Sequence, residues 1–217
     1  MAELPLVLDL AAEHVPATLL RQQLLAKLLE GEVPDVDLDA HTATFGDRTF
    51  DLQVVGTVDD AAHTFTWAWA TSGIAPEAVT RCAEALRAYG AEHDVMELSE
   101  PVWHTDEVEP FLLAAIARGW CRADALYRAP VPGGAVYLLL GDVELPPPDA
   151  HQVVQALTTG IAMAPMDHRA AAMALFADAQ VAVTGLDEMV VATIGTSLVN
   201  VTFTRDGRID DVSVSHL

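Results

Sequence analysis

Four groups of side chains in this 217-residue chain have types and spacings that could do chemistry. The first is aromatic. His63, Phe65, Trp67 and Trp69 occupy alternate positions, separated by Thr64, Thr66 and Ala68. In an extended strand, alternate residues share one face. That face would offer apolar surface with indole N–H groups as orienting donors, a place for a ligand or a partner. The same pattern also describes a sheet face packed beneath helices as core, where large aromatics usually lie. The second group is acidic. Asp35, Asp37 and Asp39 alternate with Val36 and Leu38, and three oxygen donors on one strand face could hold Ca²⁺ or Mg²⁺. A solvated strand face that discourages edge pairing explains the alternation equally well.

The third group mixes acids and imidazoles. Glu92, His93, Asp94 and Glu97 are followed by His104, Asp106 and Glu107, donors suited to a metal or to general acid–base work. Ligands this close in a loop seldom converge, which favours a solvated acidic connection. The fourth is Asp167-His168-Arg169 at a helix start. Adjacent helical residues do not face one another, so a catalytic Asp–His pair is disfavoured and Asp167 is expected to cap the helix. No Gly-rich phosphate loop, G-x-S-x-G elbow, H-E-x-x-H or paired C-x-x-C occurs. No catalytic set, metal site or cofactor is therefore assigned, and the reading leans away from an enzyme.

Composition narrows the classes further. Asp and Glu number 32 against 11 Lys and Arg, a formal net charge of −21, with 52% of residues apolar. A disordered chain would be poorer in apolar residues. Nucleic acid and anionic membrane are poor partners for so negative a surface. Met1–Leu10 carries Glu3 and Asp9 and no basic residue, unlike a secretory leader. No window reaches the roughly 18 apolar residues of a membrane span. A cytoplasmic protein is expected, and Cys82 and Cys121 are expected to be reduced structural thiols.

The elements that must position these groups follow from periodicity. Leu20, Leu24 and Leu28 predict a helix over Pro16–Glu30. Strand patterns over residues 35–39, 42–45, 49–56 and 63–70 predict an antiparallel meander. Helices are expected over Pro76–Tyr89, from near Glu109 to Arg118, from Asp149 to Thr159 and from Pro165 to Asp178. A short strand is expected over Ala135–Leu140, and four more over residues 181–184, 189–194, 198–204 and 208–215, the last two flanking an Asp206-Gly207 turn. The fold class is α+β, with antiparallel sheet and helices packed on one face. Both parts of the chain run helix first and strands later, which leaves room for two similar lobes without a residue-level repeat. The expected organisation is a single compact unit over 1–217, with Pro146-Pro147-Pro148 marking a lobe boundary near 142–149.

Val55-Gly56, then Thr66-Trp67-Ala68-Trp69-Ala70, then Pro76-Glu77 carry a resemblance. The chain resembles an uncharacterised actinobacterial family with a W-A-W-A-N strand segment, with Thr71 here in place of Asn. The resemblance extends through Tyr127 and Gly133-Gly134 to Asp167-His168-Arg169. It implies a shared fold and transfers no catalytic residue. Three functions compete. An acidic, non-enzymatic binding protein would recognise a basic protein partner by charge. A small-molecule binder, or an enzyme without a recognised motif, would use a pocket under the Trp67/Trp69 face. A structural homodimer would pair through the last strand, at Val212 and Val214.

Overall fold

The computed structural model describes residues 6–71, 76–186 and 188–217. The chain has an α+β fold that divides into two compact units, residues 25–145 and residues 1–24 with 146–217. The second crossing, Leu145 to Pro146, lies in the Pro-rich stretch. Helix α1 (Leu6–Leu29) runs through the first crossing.

In the 25–145 unit, β1 (Asp35–Asp37), β2 (Thr42–Phe45), the long β3 (Arg48–Asp59), β4 (Thr64–Trp67) and β5 (Val102–His104) run antiparallel in that order. On its other edge β3 pairs with β7 (Gly134–Gly141), which pairs with β6 (Ala125–Val131). Thus β2 and β4 share one edge of β3, β2 on residues 48–51 and β4 on residues 56–59. Between them the edge is open, and only Leu52 N reaches across, donating to His41 O at 2.8 Å. A register shift between Val54 and Gly56 marks a bulge. The extra residue resets the alternation, so Asp51 and Gln53 lie on the same face as Gly56 and Val58.

That face carries Phe65, Trp67, Tyr137 and Leu139 by register. Helices α2 (Glu77–Glu92) and α4 (Pro110–Trp120) pack against the sheet, with Val79, Leu86, Leu113 and Ile116 wholly buried. Gly56 is required where it stands: a Cβ there would come within 2.5 Å of Phe65 Cζ. The start of α4 follows the expectation, with Pro110 in the first turn and Glu109 accepting from Phe111 N. The short helix α3 (Met96–Ser99), β5 and β6 were not anticipated, since four-residue elements and strands with broken alternation leave little periodic signal.

In the other unit, α5 (Ala150–Met163) begins with the Asp149–Gln152 capping box and α6 (His168–Asp178) with Asp167. Four strands follow, β8 (Ala182–Leu186), β9 (Met189–Ile194), β10 (Ser197–Phe203) and β11 (Ile209–His216), antiparallel in the order β11-β10-β9-β8. Val190, Ala192, Val199 and Val201 form the buried face, and α5 packs on β10 and β11. Asp210 and Asp211 are exposed on the edge strand β11, the kind of charge that blunts an edge. Helix α1 starts ten residues before the expected Pro16. Val7, Leu10, Ala11 and Val15 are buried along the added turns, and their packing offsets the backbone bond that an interior Pro16 removes. Among the described residues no helix is long and apolar enough to cross a membrane.

Candidate functional site

The four anticipated groups do not assemble into sites. The aromatic strand ends early, because the chain leaves β4 for a 3₁₀ turn at Ala68–Ala70. Phe65 and Trp67 are completely buried, edge to face at 5.2 Å between ring centroids. Trp67 Nε1 donates to Glu97 O at 3.0 Å. Trp69 lies outside the strand, with the Arg87 guanidinium 4.5 Å over its ring. His63 is exposed in the turn before β4, at φ +53°. The four side chains therefore do not share a sheet face.

The aspartates also part company. Asp35 and Asp37 are in β1, but Asp37 Oδ1 accepts from Asp39 N and Ala40 N, and this turn takes Asp39 off the strand. His93 stacks on Tyr89 at 4.1 Å between centroids, and its Nδ1 lies 3.0 Å from Tyr89 O. His104 O accepts from Glu107 N and Val108 N in a turn. Among the described residues no three His, Cys, Asp or Glu side chains group as metal ligands. Asp167 caps α6 by accepting from Arg169 N and Ala170 N. His168 Nδ1 accepts from Ile209 N at 3.1 Å, and the Arg169 guanidinium lies 4.9 Å over the Phe203 ring. These two side chains clamp the β10–β11 hairpin.

The cysteines correct the expectation outright. Cys82 in α2 and Cys121 at the end of α4 form a disulfide, with their Cα atoms 6.0 Å apart. Sequence separation alone could not pair them, because their approach depends on how α2 and α4 pack.

A cleft of about 350 Å³ opens beside this disulfide. Its floor is Asp51, Leu52, Gln53, Leu139 and Gly141 of β3 and β7. Arg81 contributes from α2, Cys121, Arg122 and Ala123 from the segment after α4, and Ala40 and His41 from the turn before β2. The cleft opens over the sheet face that carries Asp51, Gln53, Leu139 and Gly141, bordered by α2 and the segment after α4. Gln53 reaches from this face to α2: its Nε2 donates to Ala78 O at 2.9 Å and its Oε1 accepts from Cys82 N at 3.2 Å. One amide thereby spans a turn of α2 and fixes that helix over the sheet. His41 and Arg122 both hold left-handed backbone, at φ +59° and +55°.

The electrostatics of the cleft run against those of the chain. Arg81 and Arg122 are exposed at its rim. Arg81 Nε donates to Ala78 O within its own helix. Among the described residues neither arginine has a carboxylate within ion-pair distance. Arg21, Arg48, Arg87 and Arg208, by contrast, each lie within 4.0 Å of a carboxylate oxygen. Asp51 is the acid of the lining. Two guanidiniums and an imidazole around a concavity suit a small anion such as a carboxylate or phosphate. The sequence held no signal for this group, because its members come from positions 41, 51–53, 81 and 121–123, with no common spacing.

No curated protein and no solved structure matches the chain. Residues 8–143 match a family model that spans the Trp segment, Tyr127 and Gly133-Gly134 and stops before Asp167. That match holds every residue of the cleft and well over half of the sequence, so the chain belongs to the family of unknown function DUF6882.

Proposed function

We propose that this chain is a non-enzymatic binding protein whose ligand is a small anion held in the cleft of His41, Arg81 and Arg122. One observation carries the reading: two arginines with no carboxylate partner among the described residues face one cleft in a chain with 32 carboxyl side chains and 11 basic residues. A volume of about 350 Å³ is within the range of small-ligand pockets. Titration with inorganic phosphate, and separately with succinate, at constant ionic strength tests it. Saturable shifts are expected for the backbone amides of His41, Gln53, Arg122 and Gly141. Arg122→Gln and Arg81→Gln should each weaken binding by about tenfold, since a charge-assisted hydrogen bond contributes roughly 1.5–3 kcal/mol. Shifts no larger than those from a matched chloride titration would sink the reading.

The exposed carboxylates support a second role, association with a basic protein steered by charge. Glu30, Glu32, Asp35, Asp37 and Asp39 are all exposed, and Val33 stands 74% exposed among them. The association rate should fall steeply with ionic strength, and a rate indifferent to salt would count against it.

A further inference from the structure

We infer that the anion taken by the cleft is a small thiol bearing a carboxylate, and that it exchanges with the Cys82–Cys121 disulfide at Cys121. The inference rests on the anion-binding reading of the cleft. It begins from an asymmetry. Cys121 is half-buried and lines the cleft, whereas Cys82 is inside α2, 8% exposed and absent from the lining. A thiol entering the cleft therefore meets Cys121 first. The attacking species is a thiolate, so a carboxylate-bearing attacker is a double anion. Arg81 and Arg122 draw it in and favour ionisation of its thiol. The leaving sulfur has an acceptor waiting: Cys82 Sγ lies 3.7 Å from Ala117 O, which can accept from the thiol once it carries a proton.

The step balances without an outside oxidant. The incoming sulfur forms a bond to Cys121 Sγ. The Cys82–Cys121 bond breaks with its electron pair passing to Cys82, whose sulfur takes a proton from solvent. A second thiol can attack the bound thiol's sulfur, leaving Cys121 reduced and releasing the symmetrical small disulfide, so two thiols supply the two electrons. The bridge joins α2 to the segment after α4, which carry Arg81 and Arg122. Its opening unties the two cationic walls of the cleft.

The oxidised protein would be incubated at low ionic strength with glutathione, which carries two carboxylates, and in parallel with cysteamine, which carries an amine. Early samples are quenched in acid for intact mass and peptide mapping. The expected result is a glutathione adduct on Cys121. The rate ratio of glutathione to cysteamine should fall by about tenfold in the Arg81→Gln/Arg122→Gln double variant, in line with electrostatic steering. Comparing ratios cancels the intrinsic reactivity of the two thiols. An adduct on Cys82, or a ratio the double variant leaves unchanged, overturns the inference. Phosphate binding with no adduct overturns the exchange while the anion reading stands, and absence of phosphate binding removes both.

Discussion

Trp67 buries its whole indole and still satisfies its one polar atom, donating from Nε1 to Glu97 O at 3.0 Å. Trp67→Ala should cost about 3–5 kcal/mol in urea unfolding. Trp67→Phe should cost less, and part of its loss is the orphaned Glu97 carbonyl. An unchanged midpoint for Trp67→Ala would contradict a core role. Tyr137 faces Phe65 from β7, 6.3 Å between centroids, and burial holds its phenol above the ordinary tyrosine value while the Arg128 guanidinium pulls it back. A pKa raised by folding stabilises the protein below the unfolded value and loses that contribution as pH climbs through the folded one. Stability should therefore fall above about pH 10, and Tyr137→Phe should flatten the fall when unfolding is followed from pH 9 to 12. A profile identical in the variant would remove Tyr137 as the cause. Alternation alone was enough to put Phe65 and Trp67 on one face. It could not show that Pro101 O, accepting from Trp67 N, marks the last rung before the chain turns at Ala68. Nor could it place His63, whose left-handed backbone belongs to a turn.

Elements depend on contacts that sequence neighbours do not reveal. Cys82 and Cys121 are 39 residues apart, and closing a loop of that length removes about 4 kcal/mol of entropy from the unfolded chain. Cys82→Ser/Cys121→Ser, or reduction before unfolding, should lower stability by an amount of that order. A difference below about 1 kcal/mol would mean the bridge adds little beyond the packing of α2 on α4. Helix α5 meets α1 at a tighter constraint. A Cβ on Gly160 would fall 2.8 Å from Pro16 Cγ, so the glycine admits the proline ring. Gly160→Ala should cost about 1–3 kcal/mol despite alanine's better helix propensity. In a Pro16→Ala background the cost should shrink, and additive losses across the cycle would show that the two sites do not touch. The capping box at Asp149 and the Asp206-Gly207 turn were legible because both are local chemistry. The length of α1 was not, because Pro16 resembles a first-turn proline until the buried residues before it are counted. Cleft and disulfide were hidden for the same reason: both arise from the packing of α2 and α4 over the sheet.

At the scale of the molecule, the apolar fraction and the helix and strand periods were sufficient to read an α+β fold. The division into units was harder to read, since one unit joins residues 1–24 to residues 146–217 and no linear scan links them. Charge is the global property with the most direct consequence. A formal charge of −21 over 217 residues makes the compact state repel itself, because 11 basic residues cannot neutralise 32 carboxyl side chains. The unfolded chain spreads the same charge over a larger volume, so screening favours the folded state. The Debye length falls from about 10 Å at 0.1 M salt to about 3 Å at 1 M. Sodium chloride over that range should therefore raise the midpoint of thermal unfolding by several degrees, a change of about 1–2 kcal/mol for a chain of this size. The exposed ion pairs, such as Arg87–Glu84 at 3.8 Å, are weakened by the same salt, but each contributes at most about 1 kcal/mol and most contribute less. The two effects oppose one another, and repulsion should win because carboxylates outnumber bases by nearly three to one. Phosphate is the informative comparison. If the cleft binds it, low millimolar phosphate should raise the midpoint beyond chloride of equal ionic strength, and Arg122→Gln should erase that excess while leaving the chloride response intact. A midpoint that falls with chloride would mean local ion pairs outweigh global repulsion, and an excess that survives Arg122→Gln would place the phosphate elsewhere.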